Sequence, residues 1–399
     1  MELEISACLL KLTGLLEFEM PGLRARLFNW SSRLRTLVMC LVYALGIIEA
    51  MHVENITMIH TLVASQRAMM AILIISYFFI FHKKLPKVKR IMRMFEEFPK
   101  FSNDETNLHA QHNLIDAKNM MRKKTLIYFL IQSPFPLFYT FFKIADLYST
   151  VKFPHVDMTN ENIQILLTTL AGYWWFIVQP WQKILFNVLN SFAFWQFTFV
   201  LSAADSFINC CIFVTSEQIK FLAETVSDSL KPAPYSTNIT LEFREWLCYH
   251  RHTRRLVELV SDTFAMQLSI IIFYYISNIS IMVYFFVLGW DITILPFLVF
   301  YLIQPYFYCR AGERLKQESS LLAENVKREV LRQVITGELK HGTMTNAIED
   351  LIEDCGPKNY PCVQPIGFGA LSKVLFAKLL YTSNYWLFAL MQWKPINNN

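Results

Sequence analysis

The sequence contains seven apolar runs that approach the length of a membrane-spanning helix. Such a helix needs about 20 mostly apolar residues, because the hydrocarbon core of a bilayer is about 30 Å thick. Charged residues make up only 17% of the chain, below the roughly 25% typical of soluble proteins. The pattern therefore predicts an all-α integral membrane protein with seven transmembrane helices. The runs occupy residues 36–51, 62–81, 125–148, 188–213, 264–288, 292–308 and 371–392.

The fourth run lies inside a longer apolar tract at residues 163–213. Pro180 and its neighbouring tryptophans divide this tract. Because tryptophan is enriched at membrane interfaces, we assign residues 158–182 to the outer side and residues 188–213 to the crossing. In the alternative, the tract crosses twice, and the basic residues 251–255 move outside. The charge rule for membrane topology disfavours that arrangement.

The distribution of basic residues predicts the orientation in the membrane. Residues 82–124 carry eight Lys and three Arg, whereas residues 52–60 and 289–293 carry neither. Because segments rich in Lys and Arg remain on the cytosolic side, the N-terminus is expected in the cytosol. Seven crossings then leave the C-terminus outside the cell, which is the inverse of a G-protein-coupled receptor.

Helical spacing continues beyond the fourth, fifth and sixth apolar runs, so these helices are predicted to extend on the cytosolic side. Long helices that protrude on one side of the membrane can pack together there. The predicted organisation has five parts. Residues 1–34 form a cytosolic N-terminal segment, and residues 35–308 form a membrane region of helices 1–6 with cytosolic extensions at 214–263. A cytosolic region at 309–366, the seventh helix at 367–393 and an extracellular tail at 394–399 follow.

The sequence carries no motif typical of an enzyme. It lacks the HExxH, P-loop and GxSxG patterns, and its eight cysteines form no CxxC pair. We therefore expect no enzymatic activity, no cofactor and no bound metal. The net charge of +5 is modest, so no nucleic-acid partner is expected. The two halves of the chain are not alike, which argues against a transporter built from repeats.

Four ionisable residues lie in or near the predicted spans, and a glycosylation motif lies outside them. Intramembrane ionisable groups are candidates for function. Each one here has a structural alternative, which we favour over a proton relay: Glu49, Lys143, Asp146 and Asp205. The sequon that begins at Asn55 lies in the first predicted outside loop, so glycosylation of Asn55 is predicted.

Three segments carry a resemblance to the insect odorant receptors. Residues 203–226 resemble the fourth helix of that family, and residues 307–326 resemble the end of its sixth helix. Residues 367–392 resemble its last helix, where a Ser/Tyr pair precedes a final polar residue. The matching residues in the first two segments are Asp205, Gln218, Leu222, Cys309, Gly312, Glu318 and Ser319.

The chain departs from the family pattern at one place, because residues 326–334 contain no Trp where the family often has one. The gustatory receptors share the fold and a closing Tyr-to-Gln pattern. Here Tyr385 and Gln392 are seven residues apart, which is wider than the gustatory spacing. A gustatory receptor channel is therefore the second interpretation, ahead of a G-protein-coupled receptor or a transporter.

The resemblance implies a tetramer around one central pore, in which this chain is a ligand-tuning subunit beside the odorant receptor co-receptor. It implies that helices 4–7 form a cytosolic anchor domain between subunits and that the seventh helix lines a cation pore. It also implies a location in the plasma membrane, at the dendrite of a sensory neuron, in contact with membrane lipids. Each subunit would bind a volatile odorant between helices two to six.

The predicted odorant pocket is apolar with a few hydroxyl groups, which suits an ester, an alcohol or a terpenoid. Pro134 and Pro136 would distort the third helix and could open a cavity there. For each aromatic residue taken singly, core packing is the common role. The pocket candidates are Ile72, Tyr77, Phe78, Phe135, Phe138, Tyr139, Phe142, Phe197, Val200, Phe273, Tyr274 and Ser277.

The closing helix carries polar and aromatic residues at helical spacing along one face. Polar groups such as Asn384 and Gln392 are costly against lipid but tolerable at a water-filled axis. A ring of apolar side chains can gate a pore by dewetting, and four Gln amides would favour weak cation selectivity. The alternative is a polar seam against the fifth or sixth helix. The pore candidates are Tyr385, Phe388, Leu390, Met391 and Gln392.

Overall fold

The structure is a computed structural model of the chain. It describes residues 3–13, 15–16, 23–51, 58–132, 137, 140, 180–230, 241–287, 295–336, 343–356 and 361–392. The predicted glycosylation site Asn55 lies outside these residues, and so do Lys143 and Asp146. The backbone of Glu49 is described, but its side chain is not.

The described residues form ten helices and contain no β-strand. This architecture confirms the predicted all-α membrane fold. The helices are α1 (Leu3–Thr13), α2 (Leu23–Met51), α3 (Met58–Lys83), α4 (Leu85–Glu96), α5 (Asp104–Gln132), α6 (Pro180–Ser229), α7 (Leu241–Val287), α8 (Leu295–Ile335), α9 (Thr343–Asp354) and α10 (Lys373–Gln392).

Four segments of the described chain are long and apolar enough to cross a membrane by length and composition. They lie in α3, α6, α7 and α10, and they are Ala64–Lys83, Ser191–Ser229, Leu241–Val287 and Lys373–Gln392. The first, third and sixth predicted spans overlap α2, α5 and α8. The number of crossings and their orientation stay predictions.

The three longest helices of the described chain are about twice the length that a membrane crossing needs, or more. α6, α7 and α8 contain 50, 47 and 41 residues, and 50 residues of α-helix measure about 75 Å. The helices therefore continue past the apolar runs, as predicted for residues 215–230, 241–265 and 313–334.

α6 is the central helix of the bundle. It packs against α5, α7 and α8, and also against α1, α2 and α3. Of the residues in its most apolar window, 89% are buried, against 17% in α10. Because most of this window is buried, its polar residues need partners within the protein.

A short amphipathic helix, α4, covers α7 on the basic side of the bundle. Its buried residues Val88, Ile91 and Phe95 repeat at helical spacing along one face. The Nζ atom of Lys84 donates to the backbone oxygen of Thr263 at 3.1 Å, which attaches the start of α4 to α7. Lys84, the residue before α4, and α4 itself are therefore packed against the part of α7 that extends beyond its apolar run.

The connection into α10 packs tightly against α7 and α8. The backbone N–H of Leu371 donates to the oxygen of Val363 at 3.0 Å and closes a loop. A Cβ atom added to Gly312 of α8 would lie 2.3 Å from the Cβ and 2.6 Å from the backbone oxygen of Leu371. Glycine at position 312 is therefore what allows α8 to approach this loop.

Candidate functional site

A cluster of buried aromatic residues lies between α3, α6, α7 and α8. The ring of Phe197 lies 6.3 Å from the ring of Tyr274, and Tyr274 meets Tyr301 edge-on at 5.9 Å. The Nε2 atom of Gln66 donates to the hydroxyl of Tyr301 at 3.3 Å. We call these four residues the aromatic cluster. It combines apolar ring surface with two tyrosine hydroxyl groups, and the hydroxyl of Tyr274 donates to that of Tyr301 at 3.5 Å.

The structure brings some of the predicted pocket residues to this cluster and separates others. Phe197, Val200 and Tyr274 are buried together at the centre of the bundle. Ile72 and Phe273 lie on outer faces with 56% and 52% of their surface exposed, because helical spacing points them away from the neighbouring helices. Phe78 and Ser277 are half-buried.

The third-helix candidates Phe135, Phe138, Tyr139 and Phe142 lie outside the described residues, as do Pro134 and Pro136. One contact of this segment is described nearby. The Nε1 atom of Trp195 on α6 donates to the hydroxyl of Thr140 at 3.0 Å. This bond places Thr140 beside α6 at Trp195, two residues before Phe197.

A second cluster surrounds the buried carboxyl group of Asp205. Tyr77 of α3 donates to one carboxyl oxygen, and Tyr308 of α8 donates to the same oxygen at 2.7 Å. Tyr275 of α7 donates to the other oxygen at 3.2 Å. We call these residues the Asp205 cluster. It joins four helices through one fully buried side chain, which is the structural role favoured for Asp205 from the sequence.

Several residues of these two clusters were absent from the predicted site. Gln66, Tyr275 and Tyr301 lie on three different helices, and only Tyr301 and Tyr308 share one, α8, where they are seven residues apart. The sequence contained a weak signal for the tyrosines. A buried Asp in an apolar helix requires hydrogen-bond donors, and tyrosines are among the donors in the apolar helices of this chain. Tyr77 was predicted to line the pocket. Its hydroxyl donates a hydrogen bond to the carboxyl group of Asp205.

α10 exposes one face in the single chain. The predicted pore residues Tyr385, Phe388 and Met391 are 70%, 62% and 49% exposed. Gln392 is also exposed, and Leu390 is half-buried. Within one chain this face therefore does not form a seam against α7 or α8, and it is available to a partner, to lipid or to a pore.

The opposite face of α10 packs against α7 through small residues. The hydroxyl of Ser280 donates to the backbone oxygen of Ser383 at 3.1 Å. The hydroxyl of Ser383 lies 3.4 Å from the backbone oxygen of Ile276 and bonds to Leu379 of its own helix at 2.9 Å. Small side chains let the two helices approach closely, which orients the exposed face outwards.

The long apolar helices and the buried aromatic core define a multi-pass helical membrane protein. A family model described as 7tm Odorant receptor matches residues 57–326. Because this match covers well over half of the chain, the chain belongs to the odorant receptor family. No curated protein matches the sequence at a significant level.

Two solved structures share the fold along nearly the whole chain. One is the insect olfactory receptor OR5 from Machilis hrabei in complex with eugenol, with a TM-score of 0.71 and 12% identity over 98% of this chain and 97% of that chain. The other is a second structure of the insect olfactory receptor OR5 from Machilis hrabei, with a TM-score of 0.69 and 11% identity over 98% of each chain. At this identity the likeness shows the fold alone.

Proposed function

We propose that this chain is a ligand-tuning odorant receptor subunit that opens a cation pore when an odorant binds. The observation that supports this most strongly is the family match over residues 57–326. In the proposed assembly, subunits form a tetramer with the odorant receptor co-receptor in the plasma membrane. The N-terminus is cytosolic, and the extended parts of helices α6 to α8 anchor neighbouring subunits.

The proposed ligand is a small volatile molecule that is mostly apolar, such as an ester, an alcohol or a terpenoid. The buried rings of Phe197, Tyr274 and Tyr301 would supply apolar contact, and a tyrosine hydroxyl would supply one hydrogen bond. The related Machilis hrabei receptor was solved with eugenol, which supports a small ligand of this kind. Binding would open the pore if the ligand prefers the open state.

The proposed pore is lined by the exposed face of α10. Its rings and its amides lie on the side of the helix that has no neighbour within the described part of the chain. Four copies of this face around one axis would bury the apolar rings and leave the amide of Gln392 near water. This arrangement accounts for polar groups on an otherwise apolar helix.

The first prediction concerns the current that the protein carries. Cells that express this chain with the co-receptor should show an odorant-gated cation current when tested with a panel of esters, alcohols and terpenoids. Cells with the co-receptor alone provide the control. An odorant response in the absence of this chain, or substrate uptake without current, would contradict the proposal.

The second prediction concerns the pore. Phe388→Ala and Gln392→Ala should change the reversal potential or the single-channel conductance, because both residues lie at the proposed constriction. Phe286→Ala is a matched control, since Phe286 is an exposed aromatic residue on α7, outside the proposed pore helix. Unchanged permeation in both variants, at normal surface expression, would remove these residues from the pore.

A further inference from the structure

A second site, of different chemical character, lies between α5, α6, α8 and the start of α10. It is at the end of the bundle that carries many of the basic residues. The structure contains a cavity of about 580 Å³ there. None of its lining residues belongs to the aromatic cluster or to the Asp205 cluster. The cavity lies where the third predicted span begins and the sixth ends. Lys124 precedes the run at 125–148, and Arg310 follows the run at 292–308.

The cavity is lined by more cationic than acidic side chains. Four cations, Lys124, Arg310, Arg314 and Lys373, face two carboxylates, Glu313 and Glu318. Arg314 forms an ion pair with a third carboxylate, Glu217, just beyond the lining. No ion pair of the other three cations is seen within the described part of the chain. The cavity therefore keeps a positive charge after this pairing.

Two of the cations are held against one aromatic ring. The Nζ atom of Lys124 lies 3.3 Å from the centroid of the Phe213 ring, and the Cζ atom of Arg314 lies 4.8 Å from it. Partial burial, together with the nearby cations Arg314 and Arg310, lowers the pKa of Lys124 to about 8. Crowding of like charges has a cost that a bound anion would relieve.

Two polar side chains of α6 in the cavity wall have no hydrogen-bond partner among the described residues. The hydroxyl of Ser206 is such a group, and its side chain is only 3% exposed. Neither the Nδ2 nor the Oδ1 atom of Asn209 has a partner, although both atoms are buried. Buried polar atoms in native proteins are nearly always paired, so α6 retains unused hydrogen-bonding groups in the wall of the cavity.

We propose that this cavity binds a phosphorylated anion, with the phosphate among the cations and near Ser206 and Asn209. A phosphate has the negative charge and the acceptor oxygens that arginine, lysine and hydroxyl groups bind. The apolar residues Ile127 and Phe307 also line the cavity. They provide a surface for acyl chains, so the anion can belong to a membrane lipid headgroup as well as to a soluble phosphate ester.

The test measures the thermal stability of the purified full-length chain in detergent with three probes. These are a short-chain phosphatidylinositol bisphosphate, the soluble inositol trisphosphate, and a short-chain phosphatidylcholine as a zwitterionic control. The bisphosphate lipid should raise the Tm in a saturable way. Loss of one charged hydrogen-bonding group costs about 1.4 kcal/mol or more, so Arg310→Gln should raise the half-saturating concentration about tenfold or more.

Lys316→Gln is the matched control, because Lys316 is an exposed cation of α8 that does not line the cavity. Lys373→Gln repeats the test on a different helix if Arg310→Gln does not fold. Equal binding of lipid and soluble headgroup, both weakened by Arg310→Gln, supports a phosphate site open to either source. Binding of the lipid alone with the same sensitivity supports a lipid site.

Three outcomes would overturn the proposal. The first is no Tm shift with either phosphorylated probe. The second is an equal shift with phosphatidylcholine, since a zwitterionic headgroup brings no net charge to the cations. The third is equal weakening by Arg310→Gln and Lys316→Gln, which would indicate general attraction to a basic surface.

Discussion

Replacing Asp205 with alanine is expected to destabilise the folded receptor more than any other single change in the membrane core. The substitution removes the acceptor of three tyrosine hydroxyl groups, those of Tyr77, Tyr275 and Tyr308. A buried donor left without a partner costs about 1–3 kcal/mol. The expected loss is therefore about 3 kcal/mol or more, seen as a lower apparent Tm of the purified protein and less receptor at the cell surface.

Graded variants separate the carboxyl group from its partners. Asp205→Asn keeps one acceptor oxygen and is expected to cost less than Asp205→Ala. Tyr275→Phe and Tyr308→Phe each remove one hydrogen bond, at about 1 kcal/mol. Asp116→Ala is the control, because Asp116 is an exposed carboxylate on α5. A Tm for Asp205→Ala equal to that of the parent chain would show that the three hydroxyls do not need this acceptor.

Enlarging Gly312 is expected to displace the start of α10 and to reduce odorant-gated current. The new Cβ in Gly312→Ala would lie 2.3 Å from the Cβ of Leu371, and the nearby backbone oxygen leaves no flexible side chain to move. Overpacking of this kind costs about 1–3 kcal/mol, and Gly312→Val should cost more. Because the loop that contains Leu371 leads directly into α10, the proposed pore helix would shift with it.

The measurement is current per receptor at the cell surface, together with the Tm of the purified chain. Ala311→Ser is the matched control, since Ala311 is the preceding residue of α8 and is half-buried. A parent-like Tm and a parent-like current for Gly312→Val would mean that the close approach of α8 to the loop has no role in the receptor.

The sequence predicted the helices well because their signal is local. Apolar runs at 264–288 and 371–392 reach the length that a bilayer requires, and helical spacing continued the fourth to sixth helices into α6, α7 and α8. The motif with Cys309 and Gly312 also marked a real constraint, since Gly312 touches the loop before α10. These features depend on a few neighbouring residues, so they can be recognised without the fold.

The site was predicted less completely, because its residues come together from distant parts of the chain. Of the predicted pocket residues, Phe197 and Tyr274 are buried, whereas Ile72 and Phe273 share the same apolar character and point outwards. Composition does not distinguish the two faces of a helix that is apolar all round. Only contact with neighbouring helices decides which face is buried.

The sequence by itself determined that this is a helical membrane protein, where its apolar helices lie, and that it resembles the odorant receptors. Each conclusion rests on length, hydropathy or motif, which are properties of contiguous residues. The tertiary structure alone joined Asp205 to tyrosines of three other helices and gathered Lys124, Arg310 and Lys373 around one cavity. Such partners are separated by many residues along the chain, and only the packing of the helices brings their side chains within bonding distance.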